Sequence, residues 1–371
     1  MKTEWVHKKL GDDDVAKIIM GQSPSSASYN DENIGLPFLQ GCADFGEVFP
    51  KTSVYCNEPL KVAPQNSILM SVRAPVGTIN KADQKYIIGR GLCSIVSLIN
   101  NDYLYYYLLQ NKNRLEQKAQ GSTFLAINSA EVNDFDVSYP ESLSTQRRIA
   151  AILTSADKVI AATQKTIAKY KQIKQGMMED LLNEQCTMNN VQWRKVKLGE
   201  VGDFYVGGDV DRSCFSPYPT VECRFPIYAN ALVNEGLYGF SSKYEFDKEA
   251  ITITGRGDVG KVFYRKPYFS TIIRLVTLIP TDSNIYVKFL SYAMSRINFI
   301  IESTGVPQLT APQAKKYEVS IPYKNDKPDL AEQRRIAAIL SGIDAKIAAE
   351  EKVLEKYEKV KKGLMERMLK E

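Results

Sequence analysis

Gln146-Arg147-Arg148-Ile149-Ala150-Ala151-Ile152-Leu153 occurs twice in this chain, returning unchanged as Gln333-Arg334-Arg335-Ile336-Ala337-Ala338-Ile339-Leu340. The offset is 187 positions, and at that offset 20 of 38 residues agree between 145–182 and 332–369. Eight identical residues at a fixed offset do not arise by chance. A period this long is no solenoid repeat, so a whole module is duplicated.

Each copy reads as one long helix, free of proline and rich in Ala, Lys, Glu, Gln and Ile. In the second copy Asp329 supplies an N-cap acid and Glu332 its capping-box partner; Ser142 holds the equivalent first-copy position. Apolar residues step alternately by three and four, through Leu153, Ile160, Ile167 and Tyr170 and through Leu340, Ile347, Leu354 and Tyr357. That 3.5-residue period is a coiled-coil seam. Polar residues break it at matching places, Thr163/Glu350 and Lys174/Lys361. Matching breaks predict that the two helices pair with each other in one register, although two helices each packed on its own domain would also fit.

The duplication continues more faintly outside the helices. Trp5-x3-Lys9-Leu10-Gly11 recurs as Trp193-x3-Lys197-Leu198-Gly199, and the stretch 68–77 resembles 251–260. Aromatic-rich helical stretches follow at 103–115 and 286–299. Gly/Ser/Thr loops then come at 121–123 and 303–305, and short strands end at Pro140 and Pro322. The predicted class is α+β: two tandem mixed α/β domains separated by two long helices that form an antiparallel, pseudo-two-fold coiled coil. The expected boundaries are 1–141 for the first domain and 142–184 for the first helix. The second domain takes 185–328, with a linker at 183–192, and the second helix 329–371. A 38-residue helix is about 57 Å long and the ten-residue linker spans at most about 35 Å. The second domain is therefore expected to start near the far end of the first helix, with the second helix running back.

Composition sets milder limits. The 371 residues, 44% hydrophobic, suffice for two cores, and a net charge of +5 permits nucleic-acid binding without requiring it. The six cysteines show no C-x-x-C pair and no duplicated positions, so they are expected to be reduced thiols. The N-terminus lacks the apolar stretch of a signal peptide and no 18-residue apolar run occurs, which predicts a soluble, cytoplasmic protein. His7 is the single histidine, which argues against histidine triads and multi-histidine metal sites. There is no phosphate-loop motif. Gly255-Arg256-Gly257-Asp258-Val259-Gly260 matches G-x-G-x-x-G, but Lys261-Val262-Phe263-Tyr264-Arg265 after it reads as a strand, which predicts a hairpin turn. Asp102 with Glu116 and Lys118 only loosely fits a nuclease pattern. No catalytic residues are assigned to the chain, and no metal ligands.

Variable domains alternating with two near-identical helices that open on Gln-Arg-Arg-Ile resemble the specificity subunits of type I restriction–modification systems. The Trp…Lys-Leu-Gly domain starts and the Gly-Ser-Thr loop strengthen that likeness, which covers essentially the whole chain. The resemblance implies two target-recognition domains, each reading half of a split double-stranded DNA site. It also implies helical spacers that dock two methyltransferase subunits, with motor-nuclease subunits completing the restriction complex. S-adenosylmethionine, ATP and Mg belong to those partners, and this chain would hold no cofactor.

Arginine suits bidentate guanine readout or phosphate clamping, which makes Arg73 and Arg256, at equivalent turns, the leading DNA-contact candidates. Gln40, Arg90, Tyr228, Asn230, Lys261 and Gln308 join them from polar, Gly-rich loops. Gln146, Arg147, Arg148, Gln333, Arg334 and Arg335 are the candidates for the partner-subunit surface. Two other readings stay open at this point. A coiled-coil adaptor with two protein-binding domains would assemble without a methyltransferase, and a stand-alone nuclease or methyltransferase would act on DNA by itself.

Overall fold

The computed structural model describes residues 4–119, 126–183, 191–300 and 308–370. The Gly/Ser/Thr loops at 121–123 and 303–305, much of the linker and Cys186 lie outside them. The chain divides into two compact units, 1–165 with 351–371, and 166–350. Both long helices contribute to both units. They run Leu143–Leu181 and Leu330–Met368, 39 residues each, and their ends keep the 187-residue offset.

The first unit is closed by pairing its own ends. Strand Trp5–Lys9 lies antiparallel to Asp136–Pro140, with Trp5 opposite Pro140. Behind it, an antiparallel four-stranded sheet takes the order Ala16–Met20, Leu92–Ser97, Ile68–Ser71, Ile79–Lys81. Buried Ile68, Met70, Cys93 and Ile95 give this sheet an apolar face. Against it pack Tyr103, Leu104, Tyr106 and Leu108 of helix Asn101–Gln110, whose N-cap is Asn100. Ile149, Ala150 and Leu153 of the first long helix enter the same core, joined by Met365 and Leu369 near the end of the second. A fully buried leucine such as Leu153 contributes about 2 kcal/mol through removal of apolar area from water. A five-stranded sheet, ordered Tyr29–Asn30, Tyr55–Cys56, Leu36–Leu39, Tyr86–Ile88, Val62–Ala63, has one small core of its own around Phe38, Cys56 and Ile87 and shares another with Leu69 and Leu92 of the four-stranded sheet.

The second unit repeats the frame. Strand Gln192–Lys197 pairs with Glu318–Lys324, placing Trp193 opposite Pro322. The four-stranded sheet has the matching order Gly202–Val206, Val276–Pro280, Ala250–Ile253, Val262–Arg265. Helix Val287–Met294 and residues Ile336, Ala337 and Leu340 of the second long helix complete its core. The additional sheet differs, with four strands in the order Phe215–Ser216, Leu237–Ser241, Phe225–Tyr228, Ser270–Thr271. Shared frame and private insertion are thus separate layers of each unit.

Within each unit the long helices meet antiparallel, and a polar cluster marks their register. In the first unit Lys361 reaches Asp157 at 2.5 Å; in the second Lys174 reaches Asp344 at 2.7 Å. The residue numbers of both pairs add to the same 518, as one antiparallel register requires. Each aspartate also accepts a hydrogen bond of 2.6 Å from a tyrosine of its unit's short helix, Tyr106 or Tyr292. The lysines lie 5.8 and 5.4 Å from those rings. Burial, and then the bond to the carboxylate, holds both phenols above their ordinary pKa. The breaks at Lys174 and Lys361 are therefore register-setting contacts.

Three readings of the helices need correction. Thr163, where the sequence predicts a break, is buried in the seam because its hydroxyl donates back to the Val159 carbonyl at 3.0 Å. Tyr357, assigned to the seam, is 40% exposed within a charged stretch where only Leu354 is partly shielded. Asp329 does cap the second helix, accepting from the Ala331 and Glu332 amides at 3.1 Å, but the Asp329 amide donates to Pro322 O. Glu332, relieved of the capping-box role, instead grips Arg335 through two 2.7 Å bonds.

Gln146 and Gln333 are also placed otherwise than expected. Both are buried, so neither presents its amide to a partner. Gln146 accepts from the Asn100 amide at 2.9 Å and donates to Pro140 O at 2.7 Å. Gln333 accepts from the Tyr286 amide at 2.8 Å and donates to Asn284 O at 3.0 Å. Each amide thus bolts the start of a long helix to the start of the short helix beside it. Gln333→Ala is expected to strand one backbone donor and one acceptor, lowering stability by about 1–3 kcal/mol in denaturant titration. A change under about 0.5 kcal/mol would show that water replaces the amide without loss.

Candidate nucleic-acid interface

In each unit the two central strands of the four-stranded sheet end in turns at the same edge, and the polar candidates gather there. The turn after Ile68–Ser71 is held by Ser71, whose hydroxyl donates to Pro75 O at 2.6 Å and accepts from the Thr78 amide at 2.9 Å. Gly77, at φ +77°, closes it by donating to Ser71 O. In the second unit Thr254 takes the role of Ser71, its hydroxyl donating to Asp258 O and accepting from the Lys261 amide at 2.9 Å. Gly260, at φ +81°, closes that turn on Thr254 O. A side chain at either glycine would need a left-handed backbone that L-residues rarely adopt. The G-x-G-x-x-G match is therefore a hairpin turn between Ala250–Ile253 and Val262–Arg265.

These turns carry Arg73 and Arg256 in equivalent positions. Arg73 is exposed, bridged through its backbone to Ala126. Arg256 is partly buried, and its Nε and Nη2 donate to Gln308 Oε1 at 3.2 and 3.0 Å. Beside Arg73, the Val72 amide donates to Gly91 O, which brings the turn Gly89–Leu92 and exposed Arg90 alongside. Ser23, not singled out from the sequence, joins that group: it accepts from the Arg90 amide at 3.2 Å and bonds the exposed Gln40 amide. Arg73, Arg90 and Gln40 therefore share one edge of the first unit.

The second unit gathers Arg256, Gln308 and Asn230 but uses them differently. Asn230 Oδ1 accepts from the Gly255 amide at 2.7 Å, and its Nδ2 donates to Ile273 O. Each end of that amide holds one turn, so Asn230 braces the two turns together. Tyr228 is also drawn inward, with the Arg265 guanidinium 3.7 Å from its ring centroid and Phe269 against it edge-on. Arg265 is buried and bonds Thr252 and the Glu235 carbonyl; desolvation lowers its pKa from the ordinary value. Lys261 is exposed and contributes its backbone to the arginine turn.

The remaining candidates sit on the long helices. Arg147, Arg148, Arg334 and Arg335 are exposed, though Arg335 is engaged by Glu332 and Arg334 lies 6.0 Å from the Tyr286 ring. The nuclease-like trio is dispersed: Asp102 pairs with Lys81, Glu116 with Lys112 and Lys118 with Asp134. Among the described residues no three His, Cys, Asp or Glu side chains come together as a metal site, and no helix is long and apolar enough to cross a membrane.

Two mixed α/β domains, each with an arginine-bearing turn at one end of its sheet and each continued by a long helix, make up the chain. The family comparison agrees: the type I restriction modification DNA specificity domain matches residues 2–172 and again 190–359, and the chain belongs to that family. A protein of Methanocaldococcus jannaschii, provisionally named a type I restriction enzyme specificity subunit, is 41% identical over 182 residues, covering 48% of this chain and 43% of that one. A provisionally named type I specificity subunit of Mycoplasma pneumoniae is 26% identical over 214 residues, which is 58% of this chain and 56% of the relative. The matches thus span about half the length of these relatives. The crystal structure of a type I restriction–modification S subunit from M. genitalium shares the fold, with a TM-score of 0.70 at 19% identity over 100% of this chain and 97% of that one. A chain from a type I system structure follows at 0.59 and 16%, covering 100% and 99%.

Proposed function

We propose that this specificity subunit reads a bipartite duplex DNA site, one half with each unit, and directs methyltransferase subunits to it. The observation that carries this is the repeated arginine turn. The same hydrogen-bond frame presents Arg73 in one unit and Arg256 in the other, while the surroundings, Gln40 with Ser23 against Asn230 with Gln308, differ. A common frame suits common phosphate geometry, and different neighbours suit different bases. Methylation takes the target base out of the stack into a pocket that a partner subunit would supply. S-adenosylmethionine, and the ATP and Mg of a motor-nuclease, would then be held by partners.

Docking of two like partners requires the same surface twice, and the exposed Arg147/Arg148 and Arg334/Arg335 fit that need. Co-expression with the methyltransferase subunit, followed by base-resolution mapping of methylation on random-sequence DNA, tests the reading. It expects methylation at one split motif only when this chain is present. Replacing the four arginines by alanine should weaken the complex by tenfold or more while the melting temperature holds. Unselective methylation would refute the recognition role. Normal assembly with a lower melting temperature would assign the arginines to intramolecular bracing.

A further inference from the structure

In the second unit, Ile272–Leu275 forms a tight turn closed by the Leu275 amide on Ile272 O. Its two central residues, Ile273 and Arg274, both have left-handed backbones, at φ +55° and +56°. Such φ pairs belong to turns that ordinarily carry Asn, Asp or Gly, and a β-branched residue there is a real outlier. The same unit shows the usual solution at Asn325 and Asp326, which take φ +53° and +59° in a hairpin. The strained turn is nevertheless firmly held. The Ile273 amide donates to Gly208 O, the Arg274 amide to Gly207 O, and Asn230 grips Ile273 O. Because Asn230 also holds the Gly255 amide, one side chain fixes the turn of Arg274 to the turn of Arg256. Both side chains at the tip face solvent, and the Arg274 guanidinium makes no hydrogen bond among the described residues.

The first unit builds the corresponding turn differently. Its Leu92 amide closes on Gly89 O, and Val72 bonds Gly91 O directly, with no asparagine between. Arg90 stands there at the place of Ile273, and Gly91 at the place of Arg274. An arginine common to both units cannot distinguish two half-sites, whereas arginines offset by one residue on differently built turns can.

We infer that Arg274, presented on the strained Ile272–Leu275 turn and braced by Asn230, is a base-reading residue of the second unit that takes a guanine edge in the DNA half-site. Strain retained in a turn whose tip side chains are exposed points to a demand on those side chains from outside. Arginine meets guanine O6 and N7 with two parallel donors. This inference rests on the proposed DNA-reading role.

The test uses the full chain co-assembled with methyltransferase subunits and methylation mapping on random-sequence DNA. Arg274→Ala should lower the preference for guanine at one position of one half-site by roughly tenfold or more. The other half-site and assembly should stay unchanged. Arg274→Lys, which keeps the charge and loses the fork, should remain relaxed. Ile273→Gly, which relieves the backbone and loosens the turn, should blur the same position even if the alanine variant folds poorly. An unaltered sequence preference in Arg274→Ala overturns the inference. So does a uniform loss of binding on all sequences that lysine restores, with a salt slope reduced by about one, because that marks a phosphate contact. Failure of the DNA-reading role itself would appear earlier, as unselective methylation by the unaltered complex.

Discussion

Lys174→Asp/Lys361→Asp is expected to destabilise the chain by about 4 kcal/mol, roughly 2 kcal/mol at each site. Each substitution sets a carboxylate against a carboxylate, Asp344 or Asp157, where an ion pair of 2.7 or 2.5 Å stands now. Each also removes one of the two cations beside the ring of Tyr292 or Tyr106, leaving Lys288 or Lys81. An exposed pair contributes at most about 1 kcal/mol, while breaking a buried one costs about 3–5 kcal/mol. These side chains are 24–36% exposed, between those limits. The sites share no partner, so their costs should add. Adding Asp157→Lys and Asp344→Lys should recover part of the loss by reversing both pairs. Recovery stays incomplete because Tyr106 and Tyr292 lose their carboxylate acceptors. Denaturant titration of the parent, the doubly substituted and the fourfold substituted chains decides it. If the doubly substituted chain were as stable as the parent, the polar residues would not fix the register.

That register was half legible in the sequence. Asp157/Asp344 and Lys174/Lys361 survive at the 187-residue offset and were visible as paired features. Their connection to each other was not, because an antiparallel contact joins residues that no repeat offset relates. Tyr106 and Tyr292 lay hidden for a different reason. They stand in aromatic-rich helices where core packing explains every ring, and nothing in Tyr103–Tyr107 marks the one whose hydroxyl needs a carboxylate. Gln146 and Gln333 show the opposite error. Their identity in both copies was as strong as that of the neighbouring arginines, but a repeat records any shared demand, an internal brace as readily as a docking surface.

The DNA-facing candidates divide in the same way. Arg73 and Arg256 are legible as a matched pair because the frame around them is duplicated down to the Ser71 and Thr254 hydroxyls. Arg274 does not stand out in the sequence because it belongs to what is not duplicated: Gly91 occupies its place in the first unit. Nor does Ile-Arg announce a left-handed turn, since the residues that normally do so are absent. The polarity of Asn230 suggests a DNA contact, and nothing in the sequence shows that its amide also joins two loops. Type and spacing reveal a frame. Which polar atoms are already satisfied is a tertiary property.

On the proposed bipartite reading, removing 163–169 from the first long helix and 350–356 from the second should shorten the non-specific gap between the half-sites by one to three base pairs. The excised segments are equivalent at the 187-residue offset and one heptad long, so the 3.5-residue seam continues across each junction. The register contacts also survive. Asp157 and Lys174 flank the first cut, Asp344 and Lys361 the second, and equal excisions leave each lysine opposite its aspartate. Each helix loses about 10 Å at 1.5 Å per residue, against 3.4 Å per base pair of DNA. The change need not reach the full three base pairs, because DNA can bend or twist at a cost of a few kcal/mol. Both half-site sequences should stay the same, since neither arginine turn is touched. Methylation mapping with the co-assembled methyltransferase reads the gap directly, and cutting only one helix supplies the control. A single cut puts the two pairs seven residues out of step, so that only one lysine can meet its aspartate, and should abolish a folded complex where the double cut preserves one. An active double-cut chain that still methylated sites of the original gap would show that the helices do not measure the spacing.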